Sequence, residues 1–358
     1  MTLTVLMSMI GARTSHSLLE AIKNNDDQSI ELIGVDPVSP VPGQFTIDEF
    51  EKVRASYRNE SGYIEDVNRI LDTYDVDVML PCGNEDSLAV AKHKEQLERT
   101  GAVIAVSEYE ALKTAFDKYQ MYSIISAEAP EAAPEFYLVH NYDEFRQRAS
   151  DLGYPANRFV MKPRLGRGGR GVIVVEPEFD FDEFLTTKPT RTFSFDMIDA
   201  QLQSMDEFPE LILMEYLPGD VLSSYSYCED GDTVVTLAHR RLWGTASNTL
   251  KSRIECPTDI NRTVAKINFS FGFEHNINYE FALDDEGIAR VFDLNPRLAA
   301  STAVFRCVGV NFPYLSVRSA MGQEISVPDA FDGINETIMM RHLTEMYLNE
   351  RTGDTFEL

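Results

Sequence analysis

Short apolar runs alternate with stretches of helical spacing through the first third of the chain. The runs cover residues 3–9, 30–35, 77–80 and 102–106, and the helical stretches cover residues 15–23, 85–100 and 108–126. Alternation of this kind predicts βαβ units and a parallel sheet. We therefore expect an open α/β domain over residues 1–112.

The pattern changes after residue 112, where strands outnumber helices. The predicted strands are 136–139, 158–162, 171–175, 211–215, 223–228, 233–241, 277–283, 289–294 and 336–348. Turn residues cluster at 229–232 and 284–287, and each cluster separates two apolar runs, as in a hairpin. The second part of the chain is therefore expected to be α+β with antiparallel sheets, ending in a C-terminal strand and tail over residues 331–358.

The charge balance excludes one class of partner. Lys plus Arg number 32 and Asp plus Glu number 58, which gives a formal net charge of −26. A nucleic-acid binder needs a basic face, so we expect no nucleic-acid partner.

No apolar run reaches the roughly 18–20 residues of a membrane span, and the four cysteines have no metal-binding spacing. A cytoplasmic protein with no membrane partner is the expectation.

A lysine followed by a glycine-rich turn is the most informative local motif. Lys162 ends a predicted strand, and the turn that follows contains Gly166, Gly168, Gly169 and Gly171 together with Arg164, Arg167 and Arg170. Glycines let backbone N–H groups approach an anion closely, and the cations add local positive charge. The alternative interpretation is a mobile basic hairpin tip. The motif is not a Walker A loop, because no GK[ST] follows and the next element is a strand.

A second motif offers oxygen ligands for a metal ion. Asp293 and Asn295 lie two apart on a predicted strand and therefore point to the same face, and a hairpin turn at 284–287 would bring Glu280 alongside. Two carboxylates and an amide oxygen suit Mg²⁺ held jointly with phosphate. Arg297 follows two residues later and can meet a phosphoryl group. A solvated acidic hairpin is the alternative.

Together these strings resemble the ATP-grasp superfamily, in particular its carbamoyl-phosphate-synthase-like branch. The matching strings occur in order over residues 1–325: Asp117-Lys118, Lys162-Pro163 with the glycine loop, 214–219, 293–297 and 309–313. The resemblance implies an N-terminal parallel-sheet (pre-ATP-grasp) domain over 1–112 and an ATP-grasp domain over 113–330. Within the latter it implies a glycine-loop subdomain at about 125–215 and a metal-binding subdomain at about 216–330.

The resemblance also implies roles for individual residues, with ATP and Mg²⁺ as cofactors and Mn²⁺ as an alternative ion. Lys118 and Lys162 match the two lysines that hold ATP phosphates, and Gly166, Gly168, Gly169 and Gly171 match the loop that closes over them. Met214, Glu215, Tyr216 and Leu217 match the hinge that reads adenine. Glu280, Asp293 and Asn295 match the metal ligands, with Asp293 where the family usually has Glu. Arg297 and Lys162 match catalytic positions. The ribose ligand falls near Val221, where Asp220 is the adjacent acid.

Four further residues are candidate substrate ligands. Arg241 and Lys251 flank a polar loop between strands and could hold a carboxylate, although solvated strand-edge cations are an equal alternative. Arg13 follows the first strand and Glu85 follows the third, at sheet edges where ligands of open sheets bind. Capping of a helix is the alternative role of Glu85.

The function implied by the resemblance is an ATP-dependent ligase that joins a carboxylate to an amine through an acyl phosphate, releasing ADP and phosphate. The partners are then a small-molecule carboxylate and an amine, and a homodimer is the common default. Two alternatives stay open: an ATP-dependent kinase of bicarbonate or carbamate, and a non-catalytic ATP-binding protein. A dehydrogenase is disfavoured because residues 11–15 do not form GxGxxG.

Overall fold

The computed structural model describes residues 2–25, 27–166, 169–178, 191–245, 248–328, 331, 334–342, 344–349, 351–352 and 355–357. It groups the chain into two compact units. The first unit consists of Met1–Lys113, Leu222–Tyr279 and Asn295–Leu358, and the second unit consists of Thr114–Val221 and Glu280–Leu294.

The described strands and helices are numbered in chain order. The strands are β1 Leu3–Ser8, β2 Ile30–Asp36, β3 Glu49–Lys52, β4 Val78–Leu80, β5 Val103–Ile104, β6 Phe136–Val139, β7 Phe159–Pro163, β8 Ile173–Glu176, β9 Thr192–Ser194, β10 Leu211–Glu215, β11 Val221–Glu229, β12 Asp232–Thr245, β13 Asn248–Glu255, β14 His275–Leu283, β15 Ala289–Asn295, β16 Ile338–Met340, β17 Met346–Leu348 and β18 Thr355–Glu357. The α-helices are α1 Ser15–Lys23, α2 Glu60–Thr73, α3 Asn84–Lys92, α4 Lys94–Leu97, α5 Tyr109–Phe116, α6 Lys118–Glu128, α7 Tyr142–Asp151, α8 Phe195–Gln203, α9 Thr258–Phe271 and α10 Phe312–Ala320.

The first unit begins with a five-stranded parallel sheet in the order β3-β2-β1-β4-β5. Val5 of β1 lies between Leu32 of β2 and Val78 of β4, and all three side chains are completely buried. Burial on both faces is typical of parallel strands, because crossover helices cover each side. The parallel sheet confirms the α/β prediction for the start of the chain.

The first unit also contains an antiparallel sheet. Its strands β11, β12, β13 and β16 are successive neighbours, and the beginning of β14 lies beside β11. Phe305 and Phe312 pack in the core on one side of it with Tyr225. Helix α9 contributes Asn268, whose amide donates to Ser226 and Thr233.

The second unit contains a sheet in the order β6-β10-β7-β8-β9. Strand β10 runs antiparallel to both β6 and β7, and only β8 and β9 are parallel. Phe145, Phe159, Phe195 and Leu213 form its core. The second unit also holds the end of β14 and nearly all of β15, joined by a turn in which Asp284 N–H donates to Ile288 O at 2.9 Å. The antiparallel sheets and this hairpin confirm the predicted mixture of α/β and α+β structure.

Several predicted elements differ in extent. The single helix expected over 108–126 is interrupted at Asp117, whose extended backbone (φ −83°, ψ 104°) lets its side chain cap α6. The helix expected over 85–100 breaks at His93, and the strand expected over 336–348 is two separate strands, β16 and β17. Helices α2, α7, α9 and α10 were not predicted. No described helix is long and apolar enough to cross a membrane.

Candidate functional site

The second unit brings both predicted lysines to the strand that carries Asp293. Lys118 is the first residue of α6, and its Nζ lies 3.0 Å from Asp293 Oδ1. Lys162, near the end of β7, donates from Nζ to Phe292 O at 3.1 Å and to the hydroxyl of Tyr122 at 2.5 Å. Two cations and one carboxylate from three separate chain segments therefore meet within a few ångströms.

The environment of Lys162 makes its charge unusually easy to remove. The residue is only 3% exposed, and burial together with the positive charge of Lys118 lowers its pKa to about 7, with Asp293 acting in the opposite direction. Tyr122 is itself completely buried and donates its hydroxyl to Phe292 O at 2.6 Å. A buried lysine of this kind is poised to gain a proton when an anion approaches.

The glycine turn lies immediately beyond Lys162, and its described residues have the conformation that glycine permits. Gly169 and Gly171 have φ values of +68° and +74°, and a Cβ on Gly171 would come within 2.7 Å of Pro163 Cγ. Both positions therefore require glycine. Gly166 is described and half-buried, whereas Gly168 and the neighbouring Arg167 lie outside the described residues.

An ion pair anchors the start of this turn. The Arg164 guanidinium donates to both carboxylate oxygens of Asp117, at distances of 2.6–3.0 Å, and to Glu210 at 3.1 Å. Arg164 O accepts the N–H of Lys118 at 3.2 Å. Arg164 was expected to add positive charge to the turn, but its charge is already balanced by two carboxylates. Its position instead couples the glycine turn to the N-terminus of α6.

The predicted adenine-reading segment spans the end of β10, with Met214 and Glu215 as the last two residues of that strand. Met214 is 3% exposed, and its Sδ lies 3.6 Å from Lys162 Nζ. Glu215 pairs with Glu135 by two hydrogen bonds, at 2.9 Å through its N–H and 2.8 Å through its carboxylate. Tyr216 lies under the guanidinium of Arg158, 4.0 Å from the ring centroid, and Leu217 is half-buried. Asp220 is exposed.

The predicted metal ligands lie on the hairpin strands β14 and β15. Glu280 and Asp293 are half-buried. Within the described residues no cluster of three or more His, Cys, Asp or Glu side chains could hold a metal ion, and the predicted set of two carboxylates and an amide stays a prediction. Such a hard-oxygen set fits Mg²⁺ that also binds phosphate oxygens.

Asn295 and Arg297 belong to a network in the first unit that the sequence interpretation missed. Asn295 Oδ1 accepts from Asn84 Nδ2 and from Arg297 Nη2, both at 3.2 Å, and Arg297 Nε donates to Asn84 Oδ1 at 2.9 Å. Asn84 begins α3 directly after β4, at the carboxyl edge of the parallel sheet. The signal for this edge was present, but it was assigned to Glu85, the next residue along.

The predicted substrate ligands lie in two places in the first unit. Arg13 is exposed in the loop after β1 and Glu85 is half-buried in α3, so both belong to the carboxyl edge of the parallel sheet. Arg241 and Lys251 lie on the adjacent strands β12 and β13, and Arg241 Nε donates to Thr249 Oγ1 at 3.1 Å. A cavity at the sheet edge is lined by residues that include Pro81, Ser107, His275 and Arg297.

Comparison with known proteins identifies related sequences. Residues 207–346 match the family model described as ATP-grasp in the biosynthetic pathway with Ter operon. The large chain of carbamoyl phosphate synthase from Mycobacterium sp. (strain JLS) is 24% identical over 262 residues, which cover 70% of this chain and 21% of that protein. The chain therefore spans about a fifth of the length of this curated relative.

Solved structures resemble almost the whole chain. N5-carboxyaminoimidazole synthetase from Staphylococcus aureus has a TM-score of 0.65 at 16% identity and covers 94% of this chain and 80% of its own. The biotin carboxylase domain of 2-oxoglutarate carboxylase from Hydrogenobacter thermophilus has a TM-score of 0.64 at 14% identity, covering 90% and 70%. L-amino acid ligase from Bacillus licheniformis has a TM-score of 0.59 at 13% identity, covering 89% and 74%. At these identities the likeness concerns the fold.

Proposed function

We propose that this chain, a member of the ATP-grasp superfamily, is an ATP-dependent ligase that joins a carboxylate to an amine through an acyl phosphate, releasing ADP and phosphate. The observation that carries the proposal is the convergence of Lys118, Lys162 and Asp293 in the second unit. Two lysines beside a carboxylate-bearing strand, next to a glycine turn, suit a triphosphate and its metal ion.

The lysines would neutralise the phosphates of ATP as charge moves during phosphoryl transfer. Lys118 can bind phosphate in place of its present partner Asp293, and Lys162 becomes an ammonium when phosphate approaches its buried amine. Glu280, Asp293 and Asn295 would hold Mg²⁺, which when bound neutralises negative charge on the phosphate oxygens. Asn295 Oδ1 would then give up one of the two hydrogen bonds that it accepts. The carboxylate of the acid then attacks the γ-phosphorus, the bond to the β,γ-bridging oxygen breaks, and ADP leaves.

The acyl phosphate needs orientation and protection from water. Arg297 has its guanidinium held by Asn84 and Asn295, so its plane is fixed before a ligand binds. A guanidinium of fixed orientation can donate two parallel hydrogen bonds to a phosphate. Exclusion of water is the role proposed for the turn at 166–171. The amine displaces phosphate at the carbonyl carbon and loses a proton to form the amide.

A kinase of bicarbonate or carbamate is the second candidate function. The fold is shared with an L-amino acid ligase and with an N5-carboxyaminoimidazole synthetase, which favours carboxylate–amine ligation in general. Sequence similarity to the large chain of carbamoyl phosphate synthase instead favours a kinase of bicarbonate or carbamate. Substrate-dependent ADP release separates these two possibilities.

The test measures ADP release with Mg²⁺ and ATP across panels of acids and amines, with bicarbonate alone as a separate arm. Turnover that needs both an acid and an amine supports the ligase, and turnover with bicarbonate alone supports the kinase. Lys162→Ala and Asp293→Ala should each reduce turnover by at least 100-fold, whereas Lys113→Ala, at an exposed ion pair with Glu110, should not. Full turnover in either active-site variant overturns the proposal. Calorimetric binding of Mg·ATP without hydrolysis in any arm identifies a non-catalytic nucleotide binder.

A further inference from the structure

Arg341 is a half-buried arginine for which the described residues provide no counter-ion. It follows β16 directly, and its N–H donates to Leu250 O at 2.9 Å, which continues the pairing of that strand with β13. Its guanidinium donates to Ser301 Oγ at 3.2 Å and lies 3.5 Å from Ala300 O. No carboxylate of the described residues lies within 4 Å of it.

The pKa of Arg341 is shifted in the opposite direction from that of a paired arginine. Burial lowers the pKa of Arg341 below its ordinary value, and only the phenol of Tyr225 acts against this effect. Arg164, by contrast, has its pKa raised by Asp117 and Glu210. Partial burial of a guanidinium costs hydration that a counter-ion normally compensates. An external anion would compensate this cost at Arg341.

A second arginine lies on the same face of the antiparallel sheet. Arg241 pairs with Ser252 across β12 and β13, and Ser252 pairs with Met339 of β16. Alternate residues of a strand share a face, so Arg241 and Arg341 project from the same side. Arg341 also contacts the segment that follows Arg297, the residue proposed to meet the acyl phosphate.

Two completely buried polar groups adjoin these arginines without a hydrogen-bond partner among the described residues. They are His239 Nδ1 and Ser252 Oγ, both in residues with 0% exposure. His239 Nε2 lies 3.3 Å from the hydroxyl of Tyr225. Burial, Arg241 and Arg341 lower the pKa of His239 to about 3, so its imidazole is neutral at physiological pH. If Nε2 accepts from Tyr225, the ring proton lies on Nδ1, which has no hydrogen-bond acceptor among the described residues.

We propose that Arg241 and Arg341, with His239 and Ser252 beside them, form an anion subsite for a carboxylate or phosphate group of the acid substrate, separate from the carboxylate that becomes the acyl phosphate. All four side chains can donate hydrogen bonds, and Arg341 has no carboxylate of the described residues within 4 Å. A planar guanidinium pairs with either anion through two parallel hydrogen bonds. This assignment rests on the proposed ligase activity for its biological meaning, whereas the subsite itself rests on the geometry of the first unit alone.

The direct test titrates the full chain with inorganic phosphate and, separately, with acetate, in a calorimeter at pH 7.5 and constant ionic strength. Wild-type protein should bind at least one of the two with saturation. Arg341→Met should weaken that binding at least 10-fold, Arg341→Lys should retain part of it, and Arg253→Met should leave it unchanged. Arg253 is the matched control because it is exposed on β13 and points to the opposite face from Ser252. Stronger binding of phosphate identifies a phosphate-bearing acid, and equal or stronger binding of acetate identifies a second carboxylate.

Thermal unfolding checks that each variant is folded. If Arg341→Met does not fold, the binding measurement is made with Arg241→Met instead. Absence of saturable binding in wild type, or unchanged affinity in the folded Arg341 and Arg241 variants, overturns the subsite. In the ADP-release assay, Arg341→Met should raise the KM of an acid with two anionic groups at least 10-fold and leave the KM of ATP unchanged. Anion binding that depends on Arg341, without ADP release from any acid, would reject the ligase and retain the subsite.

Discussion

Lys118 Nζ lies 3.0 Å from Asp293 Oδ1, an ion pair between residues that are 175 positions apart in the chain. Its partners are the first residue of α6 and a residue of β15, and the lysine side chain is 13% exposed while that of Asp293 is 36% exposed. Each partner therefore holds the other in position. Binding of a magnesium–triphosphate complex would replace this contact with two new ones, Lys118 to phosphate and Asp293 to metal.

Replacement of Lys118 should therefore weaken nucleotide binding more than it affects folding. We expect Lys118→Met to raise the KM for ATP about 10- to 100-fold, or roughly 1.4–2.7 kcal/mol, because a charged hydrogen bond to phosphate is lost. Steady-state ADP release measures this change. Lys113→Met is the control, because Lys113 forms an exposed ion pair with Glu110 in the preceding helix. Equal KM values in the two variants would show that Lys118 does not bind the nucleotide.

Nucleotide binding should be accompanied by proton uptake at alkaline pH. The pKa of Lys162 is lowered to about 7, so the amine is mostly neutral at pH 8 and mostly charged at pH 6. Phosphate nearby favours the ammonium form and raises this pKa. Calorimetry in buffers of different ionisation enthalpy should detect uptake of close to one proton at pH 8 and little at pH 6. Uptake at pH 8 that is the same in Lys162→Met would contradict the assignment.

The same pKa makes a prediction about stability. An unfolded lysine titrates near 10.5, so the folded protein binds fewer protons than the unfolded chain between about pH 7 and 10.5, and its stability rises with pH in that window. Below pH 7 the folded protein bears the full free-energy cost of burying the ammonium. Above pH 10.5 the lysine is neutral in both states, so this cost is zero. We therefore expect Lys162→Met to raise the free energy of unfolding at pH 6 and to have a smaller stabilising effect at pH 10. Urea denaturation at both values measures the difference, and a gain that does not decrease with pH would refute the titration.

Sequence patterns were sufficient for the parts of the fold that depend on local periodicity. The parallel sheet followed from apolar runs such as residues 30–35, and the hairpin before β15 followed from the turn residues 284–287. The helices that were missed, such as α9, carry polar side chains that are buried through tertiary contacts. Asn268 of α9 reads as a surface residue in sequence, yet it is completely buried because partners from β11, β12 and β14 satisfy its amide.

The sequence suggests candidate site residues where a motif marks them, and it does not suggest those that are identified only by a tertiary contact. Lys162 was marked by the glycine turn and Asp293 by the string that ends at Arg297. Asn84 and Arg341 belong to no such motif, because each is positioned by hydrogen bonds to residues far away in the chain. Asn84 bonds to Arg297, and Arg341 bonds to Leu250 and Ser301. Arg164 had the right residue type for an anion ligand, but Asp117 and Glu210 occupy its guanidinium.

The buried amide of Asn268 should be important for stability. Its Nδ2 donates to Ser226 at 3.0 Å and to Thr233 at 2.8 Å, and its Oδ1 accepts from the hydroxyl of Tyr279 at 2.7 Å. Asn268→Ala leaves the buried hydroxyls of Ser226 and Tyr279 and the half-buried hydroxyl of Thr233 without their partner, and we expect a loss of about 2–4 kcal/mol in the free energy of unfolding. Ser270→Ala, at an exposed position of the same helix, should change it by less than about 0.5 kcal/mol. Urea denaturation compares them, and similar losses would contradict the role of the network.

The Asp117–Arg164 ion pair should control both the stability of the second unit and the affinity for nucleotide. The Asp117 side chain is 9% exposed and that of Arg164 is 23% exposed, so this pair is shielded from solvent more than the surface pair Arg148–Asp151. We expect Arg164→Ala to lower the free energy of unfolding by about 1–3 kcal/mol, because it leaves Asp117 without its cation. Arg148→Ala should lower it by about 0.5 kcal/mol or less.

Asp117 has a second role that a conservative variant separates from the first. Its carboxylate also caps α6 by accepting the N–H groups of Tyr119 and Gln120, at 3.0 and 3.3 Å. Asparagine caps helices as well as aspartate does, so Asp117→Asn should retain the cap and lose the ion pair together with the hydrogen bond from Gln120 Nε2. Arg164 O also accepts the N–H of Lys118, so the ion pair that fixes Arg164 also positions Lys118. Arg164→Ala and Asp117→Asn should therefore both weaken ATP binding, and Arg164→Lys should restore part of it. Loss of stability in Arg164→Ala with unchanged ATP affinity would limit the ion pair to a structural role.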